Sequence, residues 1–158
     1  MPTNLERMIQ LADEFFQTKN DPSQISVTEE VMERLRQIHP ATMSEHIEGD
    51  GPVAWILLIP STRELMNQFI AKEITEQDLL NMTPFDGPFE AIYLCSALVL
   101  PEFRKKGLAK NLTCKAIDAI RNDHPIMWLF TWAFSEEGKR LAHDVATETR
   151  LQLLERVG

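Results

Sequence analysis

The chain predicts an α/β (α+β) domain: a mixed, mostly antiparallel sheet with helices on both faces. Three observations carry this. Apolar runs at residues 53–59, 91–100 and 126–133 have the length of strands rather than of helices. Amphipathic stretches with helical spacing fill the intervals. The order also changes along the chain. A hairpin pattern in the first half gives antiparallel strands, and a strand–helix–strand–helix pattern in the second gives parallel strands with right-handed crossovers.

At 158 residues the chain is expected to form one domain, residues 1–158, with one core. It divides into a helical part (1–40), a hairpin, helix and long strand (43–100), and a loop, helix, strand and helix (101–148). Thr3-x-x-Glu6 is a capping-box pattern. Leu5, Met8, Ile9, Ala12, Phe15 and Phe16 follow at helical spacing, predicting a helix over 3–18. Asn20, Asp21, Pro22 and Ser23 break it. A second box, Ser26-x-x-Glu29, predicts a helix with Val27, Val31, Leu35 and Ile38 inward, ending before Pro40. Glu48-Gly-Asp-Gly-Pro52 is a turn between a short strand at 43–47 and the run 53–59, which Pro60 is expected to end. Ser61-x-x-Glu64 predicts the cap of another helix, with Leu65, Met66, Phe69 and Ile70 inward. Residues 75–82 read as one or two helical turns, and 83–88 as loop. The strand at 91–100 leads to a helix over 107–121, with Leu108, Leu112, Ala116, Ile117 and Ile120 inward. His124-Pro125 ends it. The strand at 126–133 carries Trp128 and Trp132, read as core. Ser135 is expected to cap a last helix with Leu141, Ala142 and Val145 inward. The tail from 149 to 157 fits strand or helix.

The formal net charge of −8 argues against generic nucleic-acid binding, which needs a broad basic surface. No run reaches the length of a membrane span, and no basic-then-apolar leader pattern opens the chain, so a cytoplasmic protein is expected. Cys95 and Cys114 are expected as buried thiols. His39, His46, His124 and His143 lack metal-ligand spacing, and no metal is expected.

One segment carries chemistry. The strand ends at Pro101, and Arg104-Lys105-Lys106-Gly107-Leu108-Ala109 opens the next helix. Unpaired N–H groups at a helix N-terminus attract anions. Gly107 removes a Cβ that would hold a phosphate away from the backbone. Lys110 and Lys115 extend the positive patch, with no acid until Asp118. The bland alternative is a solvated strand–turn–helix.

This turn resembles the Q/R-x-x-G-x-G/A signature of the GNAT superfamily of N-acetyltransferases. The resemblance spans about residues 48–145 and is best over 93–120. It implies an acyl-CoA N-acyltransferase-like fold in which Arg104, Lys105, Lys106, Gly107, Leu108 and Ala109 hold the pyrophosphate of acetyl-CoA. It further implies that the strands at 93–99 and 127–133 splay apart. The pantetheine arm then lies in the notch against Ala97, Leu98 and Val99. The implied activity is transfer of an acetyl group to a small-molecule amine or a protein amino group by direct attack. Such chemistry needs a neutral amine, an oxyanion donor and a proton for the thiolate.

The family's strand carboxylate falls on Tyr93, its asparagine on Ser135, and its helix tyrosine on Ala142, beside His143. Tyr93 and Ser135 are therefore the catalytic candidates the resemblance yields, against their plainer readings as a core aromatic and a helix cap. Tyr93 is the only tyrosine in the chain, so nothing replaces the helix tyrosine directly. The family's Gly-Phe turn and two closing strands are absent too. A homodimer could complete the sheet. The alternative function is a catalytically inert CoA-binding or interaction module on the same fold.

Overall fold

A computed structural model describes residues 1–18, 28–133 and 135–157, the side chains of 16–18 excepted. The predicted break at 20–23, the Ser26 cap, Val27 and the Phe16 side chain lie outside the described residues.

Helix α1 (Asn4–Thr18) starts after Thr3, whose hydroxyl accepts the Glu6 N–H at 3.2 Å. Helix α2 (Glu29–Ile38) is capped by Thr28, which accepts the Val31 N–H. A 3₁₀ turn (Pro40–Thr42) leads into the hairpin β1 (Met43–Glu48) and β2 (Gly51–Ser61). Helices α3 (Arg63–Ile70) and α4 (Glu76–Met82) follow, then β3 (Ala91–Val99). The second half is α5 (Leu108–Asp123), β4 (Trp128–Thr131), α6 (Glu136–Thr149) and β5 (Gln152–Glu155). The tail is therefore strand.

The sheet order is β1-β2-β3-β4-β5. The longer pairings, β1–β2 and β2–β3, are antiparallel, and β3–β4 and β4–β5 are parallel. The mixed, mostly antiparallel sheet is thus observed, with α1 and α3 on one face and the crossover helices α5 and α6 on the other. Strand alternation assigns the faces. Val53, Trp55 and Leu98 join Met8 and Leu100 in a small cluster beneath α1. Tyr93 pairs with Ile59 and Phe130 on that same face, where the Phe69 ring of α3 packs edge-on against both aromatics. Leu108, expected on the inner face of α5, belongs instead to the small cluster under α1.

Three local expectations are corrected. Pro60 does not end β2, which runs to Ser61. The Ser61 carbonyl accepts the Glu90 N–H on the β3 side, so alternation turns the Pro60 nitrogen the other way. β1 has no partner there beyond Met43↔Leu57, and no ladder bond is lost. The cap of α3 is Thr62 rather than Ser61: Thr62 accepts the Leu65 N–H, while Ser61 Oγ is buried 2.7 Å from Thr83 Oγ1. The strand expected at 126–133 is shorter, because Met127 bonds to the Glu90 carbonyl before the ladder and Trp132 lies beyond it.

Two histidines fasten the far end of α5. His39 Nδ1 accepts the Ala41 N–H at 3.0 Å, so Nε2 carries the proton and faces Asp123 at 2.7 Å. His124 Nδ1 accepts the Phe89 N–H, and the two rings lie 6.1 Å apart. Burial first, and then the neighbouring His39, push the His124 pKa down. A histidine whose pKa is lower folded than unfolded stabilises the fold above its unfolded value of about 6.5. That contribution is lost as the pH falls below it. The thermal midpoint is expected to drop on going from about pH 7.5 to about 5.5. In His124→Gln the drop is expected to be smaller, as read by circular dichroism. Phe69 is fully buried, and Phe69→Ala is expected to cost about 4 kcal/mol in urea unfolding.

Candidate functional site

The site is built where β3 stops. Leu100 donates its N–H to the Val53 carbonyl, the last bond on that side. The 3₁₀ turn Pro101–Phe103 follows directly. Lys105 and Gly107 both have positive φ, 63° and 74°. Left-handed residues in a tight turn aim successive N–H groups into one concavity, a geometry suited to anions. Gly107 is the N-cap of α5 and supplies no side chain to bond the first-turn N–H groups. A Cβ built on Gly107 would meet only Asn111 Nδ2, at 3.9 Å, so the space in front of the turn is open.

The charge there is left free to act outward. Glu102 is the acid on the turn, and Arg7 of α1 holds it through two bonds of 2.6 and 2.7 Å. That hydrogen-bonded pairing draws the Glu102 carboxyl down to about 2. The pair's stabilisation is therefore complete above the ordinary carboxyl value of 4.5 and fades only as the pH falls towards about 2. Arg104 Nε donates to the Val99 carbonyl at 2.9 Å, which fixes its stem along the strand end. Lys105, Lys106 and Gly107 are exposed.

Beside the cradle the sheet opens. β3 and β4 pair only from Ala91↔Trp128 to Leu94↔Thr131. The Thr131 hydroxyl bonds the Leu94 carbonyl at 3.3 Å and closes the ladder. Immediately beyond, the register with β2 jumps from Leu58↔Leu94 to Leu57↔Ser96, leaving Cys95 as an extra residue in β3. Such a bulge bends a strand and ends pairing on one side. Residues 96–99 remain paired with β2 but have no β4 partner among the described residues. Since Leu100 bonds to β2, alternation directs Leu98 to Trp55 and turns the backbone of Ala97 and Val99 toward the gap.

The two catalytic candidates lie apart from each other in role. Tyr93 is buried, and its hydroxyl donates to Glu76 Oε2 at 2.5 Å. Burial, and then the Glu76 charge, push its pKa well above 10. Ser135 is the N-cap of α6 and accepts the Gly138 N–H at 3.0 Å. Ala142 is buried, and the exposed His143 faces Glu155 at 3.5 Å.

Sequence reasoning missed Glu76 and Arg156. The Arg156 guanidinium lies 4.3 Å from the Trp132 ring centre and 4.6 Å from that of Phe69, and its Nη1 donates to the Ile74 carbonyl. Glu76 follows a capping threonine, a pattern readable as a helix start but not as a buried carboxylate. Among the described residues no three His, Cys, Asp or Glu side chains gather as a metal-binding group. No helix there is long and apolar enough to cross a membrane.

No protein-family model matches the chain, and no curated protein matches it significantly.

Gly107→Ala is expected to destabilise by about 1 kcal/mol, from left-handed backbone strain rather than from a clash. Urea titration reads it. A loss several times larger would mean that the turn is more tightly enclosed.

Proposed function

We propose that the chain is an acyl-CoA-dependent N-acyltransferase of the GNAT type, moving an acetyl group from acetyl-CoA to an amine by direct attack. One coincidence supports this reading above all. The strand that loses its β4 partner is the same strand that runs into the anion cradle. An extended ligand with an anionic end would find hydrogen-bonding backbone along the strand and a positive turn at its end.

The residues fit such a substrate. Arg104, Lys105 and Lys106 would supply charge, and Gly107, Leu108 and Ala109 the N–H groups for a pyrophosphate. Ala97 and Val99 would pair with the pantetheine arm as an added strand does. The Val99 carbonyl is already engaged by Arg104, which leaves its N–H and both backbone groups of Ala97. One of these N–H groups is suited to the developing oxyanion. Leu98, bonded to β2, contributes its side chain to the cluster under α1 instead.

Acetyl-CoA is expected to bind in titration calorimetry and to raise the thermal midpoint at millimolar ligand. Gly107→Glu is expected to abolish both effects, because it puts a carboxylate into the cradle. Absence of heat and of stabilisation in the wild type would overturn the reading. Binding without turnover on any amine would support the inert CoA-binding module instead.

A further inference from the structure

Glu76 is the only buried acidic side chain among the described residues. A buried carboxylate costs several kcal/mol unless it is paired, so its position calls for a reason. Tyr93 supplies the partner, one residue before the last β3–β4 pair. Arg156 joins the same place. Its N–H bonds the Thr131 carbonyl at 2.9 Å, and its guanidinium stacks on Trp132, the residue just past that pair. The charged and titratable groups acting on Tyr93 are Glu76, Arg156 and Cys95. A carboxylate, a phenol and a guanidinium thus gather where the two strands separate, on the α3 face.

The acyl-transfer reading gives this gathering a use. A ligand whose pyrophosphate sits at residues 104–109, and whose arm runs back along Val99 and Ala97, brings its far end toward that divergence. We propose that Glu76 is the base that takes the proton from the acceptor amine, and that Tyr93 is the positioning residue that aims it. The inference rests on that reading. The amine nitrogen forms the new C–N bond as the C–S bond breaks. Its proton passes to the Glu76 carboxylate, the sulfur leaves as thiolate, and the proton returns through solvent to the sulfur. The products are the amide and free CoA thiol, with Glu76 restored.

The test combines thiol release from acetyl-CoA, with methylamine, benzylamine, spermidine and a lysine peptide as acceptors, and calorimetry of acetyl-CoA binding. Glu76→Gln is expected to lower kcat/KM about a hundredfold or more while acetyl-CoA still binds. Tyr93→Phe is expected to keep turnover but to move the acid limb of the pH–rate profile, which a purely structural tie would not do. The exposed Glu73→Gln is the unchanged control. If Glu76→Gln fails to fold, Glu76→Asp keeps the charge one methylene away and is expected to bind acetyl-CoA with at least tenfold slower turnover. A second readout needs no activity. Tyr93 is the only tyrosine, so near-ultraviolet tyrosinate absorbance reads it alone. Its titration is expected to lie well above 10 and to fall in Glu76→Gln. Normal turnover in Glu76→Gln, no thiol release by the wild type with any of the four amines, or an ordinary Tyr93 titration each overturns the proposal. Loss of acetyl-CoA binding in the wild type would instead remove the reading beneath it.

Discussion

Two parallel strands that share only their first four residues leave backbone groups the sheet cannot satisfy. β3 and β4 are such a pair, and the bulge at Cys95 falls where their ladder ends. Backbone donors and acceptors left without partners in a half-buried setting are costly, so natural folds cover them, solvate them or use them for ligands. The rest of the architecture is arranged around this opening. β2 holds one edge of β3 along its length, α1 packs beneath its end, and α5 starts from the turn at its tip. The split also separates two neighbourhoods: a solvent-facing, positive turn past Val99, and a buried aromatic and ionic cluster around Tyr93.

Local chemistry made much of the fold legible. Thr3 and Ser135 cap the helices their spacing announces, and Gly107 sits where a left-handed turn is needed. Apolar runs and turn residues located the strands, because period and length report burial directly. The failures share a cause. Pro60 continues a strand because its neighbour has already ended, and that is a property of β1 rather than of Pro60. The Cys95 bulge lies in a mostly apolar run, where the single serine, Ser96, is too little alternation to mark a slipped register.

The site shows the same division. The cradle is contiguous in sequence, so its residues could be named together. The Glu76–Tyr93 contact joins residues 17 positions apart in different elements, and Arg156 reaches the same cluster from just past the last strand. No periodicity encodes such a meeting. Glu76 reads in sequence as a favourable charge in the first turn of a helix. Only the packing of α4 against β3 turns it inward.

The small cluster beneath α1 has a consequence for how the molecule comes apart. Met8, Val53, Leu98 and Leu100 form a hydrophobic unit separate from the main core, joined by Phe103 and Leu108 from either side of the turn. Regions with few buried contacts open at lower free energy than the global core. Release of α1 would therefore remove the floor of the cradle while β2, β3 and α5 stayed folded. The turn between Phe103 and Leu108 shares this cluster with α1, so an anion bound at that turn would reinforce the N-terminal helix from a distance.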